Sequence, residues 1–217
     1  MNDPAHARSR FDRGRLGPIE WATAYRPVAG EVVCGDHPIS VDVLGRAALF
    51  GVIDGLGHGA AAATAATTAA DVINRSAAEP LDALIGRCHR QLAATRGAAM
   101  TLARIDFGSE ALQWMGVGNV AADLLAKSPS GVETRSSARL AGGIVGYQIP
   151  DISPPERIHI RPGYLLVMVS DGIADGHLDG VDFTASAAVI AERILREHGR
   201  ATDDASVLVA RHRGLSP

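Results

Sequence analysis

The sequence predicts an α+β fold, and three observations carry that reading. Strand-like runs follow one another across short turns such as Gly108-Ser109, which is how antiparallel strands connect. Segments with helical periodicity are grouped instead of alternating one for one with strands, which argues against a doubly wound βαβ series. Apolar residues make up 47% of the 217 positions, enough for a sizeable core. Two mainly antiparallel sheets flanked by helices, a four-layer α-β-β-α sandwich, satisfy this order. A two-layer fold satisfies it equally.

Residues 1–17 are polar and carry several arginines, and they read as a flexible arm ahead of a single domain over 18–213. Residues 21–25 and 28–33 are short strand candidates, broken at Pro27 and Gly30. A turn at 35–38 precedes an alternating strand at 39–43. Residues 47–53 are almost continuously apolar, the pattern of a strand covered on both faces. Alanine dominates 60–75 without a proline, which predicts a helix. Pro80 sits where a second helix can start, and Leu81, Leu84, Ile85, Cys88 and Leu92 recur at helical spacing. This helix is expected to end near Arg96-Gly97.

Residues 99–106 and 111–117 predict a hairpin, and Gly118-Asn119 a turn into a strand at 120–126. Residues 127–137 read as a polar loop and 150–155 as a long turn. Residues 157–160 and 164–169 predict a strand pair around Pro162-Gly163. A third helix is expected over 183–197, with Ala187, Ile190, Ile194 and Leu195 on one side, and a closing strand over 205–211. There is no internal repeat or heptad run.

The net charge is −3 with both signs mixed, which gives no electrostatic footprint for nucleic acid or an anionic membrane. No apolar run approaches the roughly 20 residues of a membrane span. Cys34 and Cys88 lie too far apart for a metal knuckle and form no disulfide framework, so both are expected to be reduced and structural. A cytoplasmic monomer is expected.

The chemistry concentrates in four acidic turns beside apolar segments. Asp54 ends the run at 47–53 and is followed by Gly55-Leu56-Gly57-His58-Gly59. Gly35-Asp36 lies upstream. Ser170-Asp171-Gly172 follows the run at 164–169, and Asp203-Asp204 precedes 205–210. Asp36, Asp54, the Gly55 carbonyl, Asp171 and Asp203 would offer oxygen only, the donor set that Mg²⁺ or Mn²⁺ prefers. Two such ions sharing a water can make it a nucleophile toward phosphorus.

Asp-Gly is also a common turn dipeptide. Asp175-Gly176 and Asp179-Gly180 are therefore read as turns, and Asp42, Asp71, Asp82, Asp106 and Asp123 as surface or cap residues. His58 is either a group near the metal water, beside Asp54 and Asp36, acting as an acid toward the leaving oxygen or as an orienting donor, or a helix-start residue donating to local backbone. Asn119 is read as a turn residue, and Ser206 as support for the last acidic turn. Besides a phosphatase, a two-metal phosphodiesterase and a non-catalytic module holding a signalling partner remain open.

In order, these four motifs resemble those of the metal-dependent PPM protein phosphatases, specifically the bacterial SpoIIE-like branch, in which the second motif reads Asp-Gly-Met-Gly-His-Gly. The likeness spans roughly residues 20 to 212. Gly30-Glu31, Cys34-Gly35-Asp36 and Gly116-Val117-Gly118-Asn119-Val120 resemble the stand-alone RsbX type. The resemblance implies the α-β-β-α sandwich and two Mn²⁺ or Mg²⁺ ions bridged by Asp54. Gly55 and Asp36 would serve one or other ion, and Asp171 and Asp203 the second. Asp203, not Asp204, matches the family's ligand. It implies removal of phosphate from serine or threonine on a STAS-domain partner in a partner-switching or stressosome pathway. The early phosphate-binding arginine of eukaryotic relatives has no clear match; Arg46 is a weak candidate.

Overall fold

The computed structural model describes residues 9–129, 131–150 and 154–214. Its first sheet has six strands in the order β1 (Arg10–Leu16), β2 (Ile19–Arg26), β12 (Ala205–His212), β11 (Leu165–Val169), β7 (Ala121–Ser128) and β8 (Gly131–Ser137). The second runs β10 (Glu156–His159), β6 (Ala111–Val117), β5 (Ala98–Asp106), β4 (Ala47–Gly55) and β3 (Asp36–Val43), with the short β9 (Leu140–Ala141) parallel to β6. All other pairings are antiparallel. Three helices complete the fold: α1 (Gly59–Ser76), α2 (Leu81–Gln91) and α3 (Ala187–His198).

Alternation along the buried strands builds the layers. In β4, Leu49 and Ile53 face α1 and α2, while Phe50 and Val52 face the other sheet. In β11, Leu165, Val167 and Val169 pack toward α3, and Leu166 and Met168 face inward. Each central strand is therefore apolar on both faces, which is why it reads as a continuous run. Three cores lie between four layers, the α-β-β-α sandwich that the sequence admitted. Among the described residues, no helix is long and apolar enough to cross a membrane.

Several expectations are corrected. Residues 10–16 are not part of an arm: they pair along their whole length with β2, and residues 1–8 lie outside the described residues. β1 is an edge strand whose Arg10, Asp12 and Arg13 are exposed, and charge on an edge blocks further pairing. Residues 28–33 form turns, not a strand. Most of 127–137 is no loop: 127–128 complete β7 and 131–137 form β8, the opposite edge of the same sheet, while residue 130 lies outside the described residues.

β10 and β11 do not pair with each other. β10 joins β6 in the second sheet, and β11 lies between β12 and β7 in the first. Pro162-Gly163 carries the chain across, with Ile160 N–H donating to Glu110 and Gly163 N–H to His212. α3 starts at Ala187 instead of 183 because Asp182 accepts from the Thr184 amide and hydroxyl, and Ser186 caps the Val189 amide. α2 stops at Gln91, and the Thr95 hydroxyl takes up the Leu92 carbonyl.

The β3–β4 turn has left-handed backbone at both central positions, Leu44 (φ 55°) and Gly45 (φ 66°), closed by Arg46 N–H to Val43 O at 3.0 Å. A leucine there is strained, and its side chain is exposed. Leu44→Asn is expected to stabilise the protein by about 1 kcal/mol, which raises Tm by about 2–4 °C in a thermal melt. An unchanged or lower Tm would count against the strain.

Candidate metal centre

All four acidic turns arrive at one end of the sandwich. In the second sheet, Asp36 opens β3 and lies directly opposite Asp54 near the end of β4. In the first, Asp171 follows β11 and Asp203 precedes β12, two strands paired through Val169 and Val207. Each carboxylate thus sits where a buried strand leaves the core.

Two glycines allow this convergence. A Cβ on Gly55 would stand 2.1 Å from the Ala62 carbonyl oxygen, so only glycine lets α1 close over the end of β4. A Cβ on Gly172 would stand 1.8 Å from the Asp204 carbonyl oxygen, so the β11 exit and the β12 entry are in backbone contact. The small buried face of α1, Ala62, Ala65, Ala66 and Ala69, keeps that helix close.

The two adjacent acids of the last turn do different work. Asp204 is buried, and its carboxylate accepts from the amides of Val28 at 2.8 Å and Gly35 at 2.9 Å. It ties the loop at 27–35 to β12. Asp203 is partly exposed and accepts from the Asp204 amide at 2.9 Å. Asp36 is buried and accepts from the Ser170 hydroxyl at 2.5 Å, and Ser170 accepts from the Ser206 amide at 2.9 Å. Ser206 therefore supports Asp36 through Ser170, on a different turn from the one expected. Asn119 is more than a turn residue, since its amide donates to Asp171 at 2.6 Å.

The electrostatics follow from this crowding. Burial raises the Asp54 carboxyl well above the usual range, and the charges of Asp36, Asp171, Asp203 and Asp204 raise it further. Asp36 is also raised, first by burial and then by Asp204, against the hydrogen bond from Ser170. Asp171 is raised by burial and Asp203, and Arg200 opposes them. Five carboxylates set against so little positive charge suit a divalent cation with hard-oxygen preference. Among the described residues, no three His, Cys, Asp or Glu side chains already stand as a closed ligand cage. The fit rests on donor chemistry and on uncompensated charge.

His58 is the N-cap residue of α1, as a helix-start residue would be, but its side chain makes no capping bond to the helix backbone. Its Nδ1 lies 2.9 Å from Glu31 Oε1, and the ring is largely exposed. Glu31 was not singled out as a site residue from sequence, and neither was Arg200, whose guanidinium donates to the Asp171 carbonyl at 3.0 Å. Arg46 is excluded as a phosphate contact, because it lies in the β3–β4 turn at the far end of the hairpin from Asp36 and Asp54. That is about 25 Å away from Asp54 at strand rise. Cys34 donates to the Arg26 carbonyl at 3.2 Å, and burial followed by the Asp36 and Asp204 charges keeps its thiol protonated. Cys88 is buried under α1, its thiol pushed up to about 12 by desolvation. Both fit a structural role.

The family described as Stage II sporulation protein E (SpoIIE) matches residues 45–213. The phosphoserine phosphatase RsbX of Bacillus subtilis (strain 168) is 29% identical over 102 residues, 47% of this chain and 50% of that protein, so the match spans about half the length of that relative. A chain solved in work on the bacterial stressosome as a modular system adapted to control secondary messenger signalling is 31% identical. It covers 89% of this chain and 99% of its own, with a TM-score of 0.79. The crystal structure of RsbX in complex with magnesium has the same fold, with a TM-score of 0.78 at 20% identity, covering 94% and 99% of the two chains.

Proposed function

The chain belongs to the SpoIIE family, and from that premise we propose that it is a metal-dependent phosphoserine/phosphothreonine protein phosphatase. The observation that carries the reading is the meeting of four acidic turns, two from each sheet, around a carboxylate that every neighbouring acid repels. Asp36, Asp54, the Gly55 carbonyl, Asp171 and Asp203 would hold two Mn²⁺ or Mg²⁺ ions. When bound, the ions would supply a nucleophilic water at neutral pH and offset charge on the phosphoryl oxygens.

The chain's own residues orient that set. Ser170 fixes one oxygen of Asp36, and Asn119 fixes one of Asp171. Asp204, with both oxygens engaged by backbone amides, holds the loop at 27–35 in place and leaves ligation to Asp203. Glu31 lies 2.9 Å from His58 Nδ1 and orients the imidazole, which would then be placed to donate to the departing serine or threonine oxygen.

The substrate we infer is a phosphorylated STAS-domain protein of a stressosome or partner-switching pathway, acted on in the cytoplasm by a monomer. Its support is the likeness to RsbX and to a chain from a stressosome system.

The test is hydrolysis of para-nitrophenyl phosphate and of a phosphorylated STAS protein, with Mn²⁺, Mg²⁺ or EDTA. Turnover is expected only with metal. At metal concentrations about 100 times Kd, binding should add about 2.7 kcal/mol of stability, a rise in Tm of about 5–10 °C. Full turnover in EDTA would overturn the reading.

A further inference from the structure

We propose that the loops around the acidic end form a docking rim for a protein segment whose phosphoserine is flanked by apolar side chains, with Val32 and Tyr147 as its contact residues. The inference rests on the phosphatase reading. Among the described residues, eight large hydrophobic side chains are exposed, and four of them, Val32, Val33, Leu56 and Tyr147, lie on the loops at this one end. Val32 and Tyr147 are 87% and 80% exposed, so they add almost nothing to the core. Apolar groups gathered on one exposed face mark an interaction site more often than scattered ones do.

Hydrogen bonds join these loops into one wall. Asp204 clamps the loop at 27–35 at both ends. Glu31 connects that loop to the turn at 55–59 through His58. Leu56 N–H donates to Gly97 O at 3.0 Å, and Ala98 and Val145 exchange two bonds at 2.9 Å. The loop carrying Tyr147 is thereby fixed beside the strand that pairs with Asp54. Tyr147 also borders an open groove of about 360 Å³ with Ile144, Gln148 and Pro150.

The occupant follows from position. A phosphoryl group that reaches the carboxylates brings its parent chain across this rim, whereas a small ester does not touch it. Glu31 is engaged by His58, and the Val32 methyl groups and the Tyr147 ring offer a passing chain apolar surface, which matches apolar neighbours of the phosphoserine.

Two phosphoserine peptides, identical except for Leu and Val or Ser and Asn beside the phosphoserine, test this against para-nitrophenyl phosphate. The full chain is used as wild type, Val32→Ser and Tyr147→Ser. The wild type is expected to favour the apolar peptide about tenfold in kcat/KM, which is the scale of partial burial of one or two such side chains. Each variant should lose several-fold of that preference through KM, with aryl phosphate turnover unchanged. Equal wild-type kcat/KM for the two peptides, or full preference in both variants, would overturn the rim. Absence of metal-dependent aryl phosphate hydrolysis in the wild type would instead remove the phosphatase reading beneath it.

Discussion

Asp54→Asn is expected to abolish metal-dependent phosphate hydrolysis, by about 10³-fold or more in kcat, equivalent to about 4 kcal/mol of lost transition-state stabilisation. The same substitution should stabilise the metal-free protein. Burial and four neighbouring aspartates raise the Asp54 carboxyl to about 9, from an ordinary 3.8. Between those values the folded chain holds a proton that the unfolded chain releases. Stability without metal therefore falls as pH rises through that window. Asp36, raised to about 7, adds to the decline over the lower part of it. Asparagine fills the same space without the charge, so the decline should flatten and Tm at pH 8 in EDTA should rise. Mn²⁺ should then stabilise the wild type and leave the variant nearly unaffected. A variant that still gains the full Mn²⁺ shift would remove Asp54 from the metal centre, and a variant less stable than wild type in EDTA would refute the repulsion.

Gly172→Ala is expected to cost about 3–5 kcal/mol, lowering Tm by roughly 10 °C or preventing folding. The added methyl would stand 1.8 Å from the Asp204 carbonyl oxygen and 3.0 Å from the Ala205 Cα. Both are backbone at the entry to a fully buried strand, so no side-chain rotation relieves the clash. Arg200 N–H also donates to the Gly172 carbonyl at 2.7 Å, and Asp171 precedes the same peptide, so any adjustment displaces the site. Gly180→Ala is the control, since its Cβ would meet nothing within 4 Å and its φ of 68° carries only backbone strain. It should cost about 1 kcal/mol. Thermal melts of the two variants decide the matter: similar small losses would show that the β11–β12 contact yields easily.

The legible parts of the fold were those whose burial is written in local pattern. β4, β11 and β12 each pack on a helix layer and on the opposite sheet, so their middle stretches (47–53, 165–169 and 207–210) carry no polar side chain and the runs are unmistakable. β1 and β8 gave no such pattern. They are the edges of the first sheet, largely exposed, and backbone pairing with β2 and β7 holds them. Hydrogen bonding alone leaves no periodic apolar trace. β10 and β11 were recognised as strands but assigned to each other, because adjacency in sequence does not encode a step between sheets.

The site divides along the same line. The sequence by itself singled out four acids, Asp36, Asp54, Asp171 and Asp203, because each sits where an apolar strand meets a glycine or an acidic turn, and that pattern is local; the structure brings all four to one end of the sandwich. Tertiary structure alone decided how they are held. Ser170 reaches Asp36 across 134 positions, Asn119 reaches Asp171 across 52, and Glu31 reaches His58 across 27. Arg200 reaches the Asp171 carbonyl across 29. Ser170, Glu31 and Asn119 stand in motifs visible in the sequence, but nothing in their chain neighbours says which distant acid or ring each one meets. Each role exists only because two sheets, closed to backbone contact at Gly55 and Gly172, bring distant turns to one end of the sandwich.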